Sequence, residues 1–512
     1  MNCDSEELIK DIRAKLENIL DFVSGEAAAK STADHVERNL FKLLLSMGAK
    51  LLLLFFTMRS NLCSRESIQT EKGETLPYHR DTYHNYFSIF GKISFKRPYF
   101  YKQGVGGQIP LDGELSLGKD CYSDFLREIL EYLGVYNVYG KGVDILERIL
   151  GISISTRVLK HTICEDSTDV EAYYEQKLAP LAVDESEILV IQADGKGVPI
   201  ILEEAAEANV RLGKGQKHGQ KKESIVTAIY SIKPAIRKAK EVVASFFKLP
   251  VEAEESKIEY FKPANKQIWA TLDGKDTALS RLSTQAAKYD GSHIKHRVAL
   301  CDGCEALQTR INTHFPNFTL ILDFIHASEY LWDVANRLLG EKSAERLDWM
   351  AKQTLRILSG ETQQLIDEFL EIAKKSTTTA LQKEQLKKTA EYFKRNLPFM
   401  DYSTYLANGW PIASGVIEGA CRHFVKDRCE LSGMRWNQDG AENLLRLRAV
   451  AENGDWDNYH KYRRQQRHIR LYGYTGFNPE LLQVQSLNND LAVLESVSSC
   501  KPDCYQKLKA AA

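Results

Sequence analysis

The 512 residues carry 68 Lys and Arg against 69 Asp and Glu, a formal net charge of -1, with 43% hydrophobic and 27% charged residues. That balance excludes wholesale disorder, and it leaves any polyanionic partner to be gripped by a local basic face rather than by a global field. Ten Cys scattered through this length, with no secretory leader, exclude a disulfide scaffold and lead us to expect a reducing cytosol.

Residues 1–60 repeat Leu, Ile and Phe at three- and four-residue spacing, which predicts helices. Within them, 41–58 (FKLLLSMGAKLLLLFFTM) approaches membrane-spanning length but is interrupted by Lys42 and Lys50. We read it as a buried helix of an N-terminal helical domain or a dimer contact, and expect no membrane segment. From 78 to 110 aromatic alternation (YFSIFGKISFKRPYFY) predicts a β-hairpin turning at Gly91. A second helical zone follows. In it, 140–162 shows a glycine corner at Gly151 and Ser155 as the N-cap of a further helix. This is a helix-turn-helix pattern that presents Arg157 and Lys160 to a DNA groove; a plain helical hairpin is the alternative.

From 186 the texture turns to alternating strand and helix. Strands are predicted at 187–193, 224–232, 237–246, 296–301 and 318–322, with helices at 277–288, at 305–313 and from 326 onward. Three of these strands run into an aspartate: Asp194, Asp302 and Asp323. Strand ends of an α/β sheet are where such folds place ligands. Residues 332–405 are helical and charge-rich, and 409–419 turns into a helix that carries Glu418. A helix at 441–451, a basic stretch at 460–470 and a weakly featured tail complete the chain. The resulting division is an N-terminal helical region (1–75), a small β segment (76–115) and a helix-turn-helix region (116–180). An α/β core in two parts (181–331 and 409–475) follows, interrupted by a helical insertion (332–408), with a tail (476–512).

Asp194 and Asp302 each follow an apolar strand and precede glycine, so each carboxylate can reach past its strand; Glu418 sits just inside a helix opened by Ser414-Gly415. Three converging carboxylates would repel one another unless a cation lay between them. Oxygen-only donors suit Mg²⁺ or Mn²⁺, and a pair of such ions about 3.5–4 Å apart is the usual device for phosphoryl transfer on DNA. Taken singly, each Asp-Gly is an ordinary turn and Glu418 an ordinary helix-start acid.

Three blocks carry a resemblance: QADGKGV (192–198), VALCDGCEAL with LILDFIHASEYLW (298–332), and GWPIASGVIEGACRHFVKDRCELSGMRW (409–436). Over 95–472 the chain resembles the DDE transposases of bacterial insertion sequences, in the Mutator-like superfamily and its Kra group. The resemblance implies an α/β RNase H-like catalytic core with an all-helical insertion, plus N-terminal α-rich domains. It implies catalytic and metal-holding roles for Asp194, Asp302 and Glu418 with two Mg²⁺ (or Mn²⁺) ions. Asp323-Phe324-Ile325-His326 matches the family's Asp- or Cys-x-x-His element, which makes Asp323 and His326 supporting residues and Asp323 the alternative second ligand. Asp302 is preferred because the strand beside the first one carries the second carboxylate in such a sheet. The paired cysteines that many relatives have near Tyr99 are missing here, so no zinc is expected there, and Cys301-x-x-Cys304 is read as a thiol pair.

DNA contacts are expected from three basic segments. They are the glycine-interrupted loop 211–222 with Lys214 and Lys217, the residues around the Glu418 helix (Arg422, His423, Lys426, Arg428, Arg435, with Trp436 to stack on a base), and the stripe Lys461, Arg463, Arg464, Arg467 and Arg470. The expected function is transposition: metal-dependent cleavage and strand transfer at insertion-sequence ends. Its partners would be double-stranded DNA (terminal inverted repeats and target) and further copies of the chain as a homodimer or higher oligomer, in the bacterial cytoplasm at the nucleoid. The alternatives are a transposase-derived DNA-binding protein without catalysis and a structure-specific nuclease on the same core.

Overall fold

A computed structural model describes residues 3–70, 72–201, 220–249 and 261–473. The chain divides into one unit made of Met1–Asp169 with Asp455–Ala512, and a second made of Val170–Gly454.

In the first unit, the Cys3–Ser24 and Ala33–Leu62 helices precede a four-stranded antiparallel sheet of β1 (Ser67–Gln69), β2 (Thr75–Ser88), β3 (Gly91–Lys102) and β4 (Gly106–Gln108), in that order. Phe56 of the second helix stacks on Phe95 of β3 with centroids 4.2 Å apart, and Ile93, Leu111 and Leu117 close this small core. The apolar 41–58 stretch does lie in a helix, but within the single chain it is not the buried core helix that is one of the two expectations; the dimer contact is the other. Only 11% of its most apolar 18-residue window is buried, and Leu44, Leu51, Phe55 and Met58 face solvent. Among the described residues, Ala33–Leu62 is the one helix long and apolar enough to cross a membrane.

Two helices flank the Gly151 corner, an arrangement that fits a helix-turn-helix and a plain helical hairpin alike. Tyr139–Leu150 ends on Gly151 at φ 69°, a left-handed cap that glycine adopts without strain. Thr156–Asp166 opens on Ser155, whose hydroxyl accepts the Val158 amide at 3.3 Å. Leu159 and Ile163 are buried, while Thr156, Arg157, Lys160 and His161 are exposed. The Trp456–Tyr472 helix completes this unit, its arginines paired with the unit's own acids: Arg463 with Asp124 (2.9 Å) and Asp166 (2.8 Å), Arg467 with Asp124 (2.6 Å), Arg464 with Glu128, and Arg470 with Asp169. The C-terminal basic stripe is therefore largely engaged within the fold rather than offered to a phosphate backbone.

The second unit is a mixed α/β structure around a five-stranded sheet of order β7-β6-β5-β8-β9. The strands are β5 (Ile188–Ile200), β6 (Gln220–Ile232), β7 (Ala264–Thr271), β8 (His296–Cys301) and β9 (Thr319–Leu322). β6 runs antiparallel to both β5 and β7, whereas β5, β8 and β9 are parallel neighbours. Side chains alternate across the sheet. Leu189, Ile191 and Ala299 pack on one face against Leu279, Leu282 and Leu307 of the Lys275–Tyr289 and Glu305–His314 helices. Ile188, Val190, Val298 and Leu300 pack on the other, against Leu331, Ile357, Leu365 and Phe393 of helices spanning 324–396.

Two elements differ from expectation. The strand predicted at 237–246 is the helix Ala239–Phe247, where Ala, Lys and Glu favour helix and Val243 alone is fully buried. The third strand is instead β7, whose polar start (Ala-Asn-Lys-Gln) hides the alternation; its buried half is Ile268 to Thr271. Strand β5 also continues through Asp194 to Ile200 rather than stopping at it.

Candidate active site

Register brings the aspartates together. In the parallel pair β5–β8 the last partners are Ala193↔Cys301, and in β8–β9 they are Cys301↔Leu322. One residue further along each strand stand Asp194, Asp302 and Asp323, a row across three neighbouring strands. Asp194 shares the parity of Val190 and Asp302 that of Leu300, so both belong to the sheet face that carries the helical insertion.

Each aspartate is held differently. Asp194 accepts from the Gly195 amide at 2.6 Å through Oδ1, and the Cys421 thiol donates to its Oδ2 at 3.3 Å. Asp302 accepts from the Cys304 amide at 3.0 Å through Oδ1 and is partly exposed. Burial raises its pKa above the usual carboxylate value; the Cys304 N–H opposes that shift, and the Asp194 charge adds to it. Asp323 is 0% exposed and fully engaged. It caps the Phe324–Leu339 helix by accepting from Ile325 N at 2.8 Å, meets His326 Nδ1 at 3.1 Å, and accepts from the Ser414 hydroxyl. The bond to Asp323 lifts the His326 pKa to about 9, against the opposing effect of burial.

Glu418 lies on the short Gly415–Gly419 helix. That helix is pinned to β5 because the Ile417 amide donates to Gln192 Oε1 at 2.9 Å, and Gln192 Nε2 in turn donates to Tyr230 OH at 3.0 Å. Gln192 is two residues before Asp194 on the same strand, so this bond brings the Glu418 helix to the end of β5 that carries Asp194. The Glu418 pKa is raised, first by partial burial and then by the Asp323 charge; Asp194 also raises it and His326 lowers it. One donor atom each from Asp323, His326 and Glu418 lie within 4.8 Å of one another. The helix continues as a π-helical stretch, Ala420–Lys426; such widened turns are frequent at functional sites. Here the stretch carries Cys421 back toward Asp194.

The residues expected to contact DNA separate into three groups. Arg422, His423, Lys426 and Arg435 are exposed after Glu418, with His423 Nδ1 2.9 Å from Asp427. Arg428 and Trp436 are instead 1% and 6% exposed, the guanidinium 5.0 Å from the indole centroid and the indole N–H donating to the Cys429 carbonyl at 3.0 Å. Trp436 also extends the sheet edge through backbone bonds with Pro199 and Ile201. A base cannot reach that ring, so the stacking role expected of Trp436 is withdrawn, and Arg428 with it. Lys214 and Lys217 lie outside the described residues. Cys301 and Cys304 are free thiols, Cys301 pushed well above its ordinary pKa by burial. Gln192, Ser414 and Cys421 had no signal in the sequence beyond their place inside the three motif blocks, because their contacts are all long-range.

No protein-family model matches the chain, and no curated protein does. Among solved structures, the chain is similar to the Drosophila P element transposase strand transfer complex, at 10% identity and a TM-score of 0.24, over 75% of this chain and 88% of that chain.

Proposed function

We propose that this chain is a DNA transposase of the DDE type, an enzyme that cleaves and joins strands at insertion-sequence ends by metal-dependent phosphoryl transfer. The observation that carries the reading is the register of β5 and β8, which sets Asp194 and Asp302 side by side while Gln192 pins the helix of Glu418 against the same strand. The sheet order, with an antiparallel second strand and a helical region between β9 and the Glu418 helix, supports an RNase H-like core with an insertion.

The donor set fits Mg²⁺ or Mn²⁺. It is all oxygen, and burial together with mutual repulsion raises two of its acids, a penalty that a cation relieves. Asp194, Asp302 and Glu418 would hold two such ions, which when bound neutralise charge at the scissile phosphate and its leaving oxygen. We assign Asp302 rather than Asp323 as the second ligand. Asp302 is partly exposed with one oxygen bonded to an amide, whereas Asp323 is buried with both oxygens engaged. Asp323 then orients His326 and ties the 414–418 turn to β9. Exposed Arg422, His423, Lys426 and Arg435 would grip phosphate without regard to sequence, and Arg157 with Lys160 would read base edges at the element ends. Double-stranded DNA and further copies of the chain are the partners.

A second reading has its own observation: the close approach of Asp323, His326 and Glu418 could itself seat a cation. Strand cleavage of the element's terminal DNA in Mg²⁺ tests both. Loss of cleavage in Asp302→Asn with Asp323→Asn still turning over supports the assignment, and the converse pattern selects the second reading. Cleavage that proceeds fully in chelator would remove the metal-dependent reading.

A further inference from the structure

We infer that the exposed apolar seam of the Ala33–Leu62 helix is where two copies of this chain pair, helix against helix and antiparallel. The inference deepens one part of the proposed function, the further copy of the chain as a partner, and rests on no assignment of catalytic residues. Phe41, Leu44, Leu51, Phe55, Met58 and Leu62 are 43–82% exposed. Together with position 48 they follow one another at steps of three, four, three, four, three and four residues. A repeat of about 3.5 residues is what keeps one face of a helix turned toward a partner helix along its length. At 48 stands a glycine. A Cβ there would come within 2.5 Å of the Phe90 ring, so glycine lets Phe90, itself 36% exposed, lie in the seam.

The rest of the helix is packed on its own unit. Phe56 stacks on Phe95, Ser60 is buried, and Lys50 reaches Asp11 of the Cys3–Ser24 helix at 2.8 Å. The charged Lys42, Lys50 and Arg59 all stand off the seam. The seam is thus a separate outward face, opposite in character to the sides that the unit already uses.

Three features select the occupant. A 3-4 seam fits a partner with the same repeat, and a second copy supplies one through a two-fold axis, the commonest symmetry of soluble oligomers. The seam and Phe90 expose roughly 600 Å² per copy, so a pair can bury about 1,200 Å², the lower end of specific interfaces. Carried back two further steps, the same spacing lands on Glu37 and Asp34, both exposed acids. Parallel helices would set Glu37 beside its own copy, whereas antiparallel ones send the two acidic ends apart. A bilayer is the other medium for such a face. Crossing one would strip Phe56, Ser60 and Lys50 of the contacts just given.

The test is the particle mass of the full-length chain in solution, by light scattering, without DNA or metal. Wild type should have the mass of two chains. Leu44→Glu and Met58→Lys should each halve it, because each puts an unmatched charge in the seam. An equimolar mixture of the two variants should return to the mass of two chains, since antiparallel pairing brings positions 44 and 58 of opposite copies together and the new charges then match. Lys42→Glu, off the seam, should leave the mass unchanged. Leu44 and Met58 are 51% and 43% exposed, and recovery on mixing shows that the variants are folded. A wild-type mass of one chain, a mass that Leu44→Glu does not change, or no recovery on mixing would overturn the antiparallel pair. A wild-type monomer that floats with phosphatidylcholine–phosphatidylglycerol vesicles would overturn it too and give the seam to a bilayer. Strand cleavage enters none of these readings, so failure of the pairing and failure of the transposase reading show separately.

Discussion

Both units concentrate charge inside the protein, and they do so in opposite ways. In the first, Arg127 makes a two-bond fork to Asp166 (2.9 and 2.8 Å), Arg463 joins Asp166 to Asp124, and Arg464 and Arg467 take Glu128 and Asp124. Arginines and acids interleave, so Asp166, Asp124 and Glu128 each meet a guanidinium. In the second, Asp194, Asp302, Asp323 and Glu418 gather at one end of a sheet, and the cation that both Asp302 and Glu418 feel is His326. A balanced network holds helices in place, whereas a surplus of acid is a cost that persists only where a cation or substrate relieves it. That contrast separates scaffold from candidate active site without recourse to any relative.

The sharpest break in the comparison comes from neutralising one acid of the uncompensated cluster. Asp194→Asn or Glu418→Gln should reduce strand cleavage by about 10³-fold or more, the size of a lost metal contact in the transition state, while DNA binding persists. Gel-resolved cleavage and binding titrations on the same preparation measure both, and full activity in either variant removes that residue from the chemistry.

The balanced cluster should respond through stability instead. Arg463, 1% exposed, leaves Asp166 and Asp124 short of a partner when replaced. Arg463→Met should cost about 3–5 kcal/mol, read by urea unfolding. A change of a few tenths would mean that the network is not what holds the Trp456–Tyr472 helix.

Cation addition sharpens the difference further. Saturating Mg²⁺ at about a hundred times its dissociation constant should stabilise the protein by about 2.7 kcal/mol through linkage. Calorimetry should show the gain in wild type and its loss in Asp302→Asn, and a gain that survives that substitution points to a site elsewhere.

The smallest effect is a pH dependence within the first unit. Glu131 is 0% exposed, and burial, reinforced by the neighbouring Asp166 charge, raises its pKa well above the ordinary value. Its folded pKa therefore exceeds its unfolded one. The stability it contributes is fully present below the unfolded value near 4.5 and is lost as pH rises through the folded value. Glu131→Gln, a standing mimic of the protonated form, should flatten that decline in unfolding temperature on the alkaline side. An unaltered profile would place the titration on another group.

The sequence by itself determined what local patterning controls. Val298 to Cys301 can only be a buried strand, Ser155 and Gly151 cap their helices because hydroxyl and left-handed backbone are local properties, and the apolar runs before Asp194, Asp302 and Asp323 locate three strand-linked carboxylates. Tertiary structure alone decided what depends on partners distant in the chain. That Asp323 meets Ser414, ninety-one residues further on, shows only in the folded chain. Trp436 reads as a stacking residue until backbone bonds to Pro199 and Ile201 take it into the sheet edge. The arginines of 463–470 read as a DNA stripe until Asp124, Glu128, Asp166 and Asp169 meet them. Charge and aromaticity are visible residue by residue, but whether a charge is already matched is a property of the folded pair.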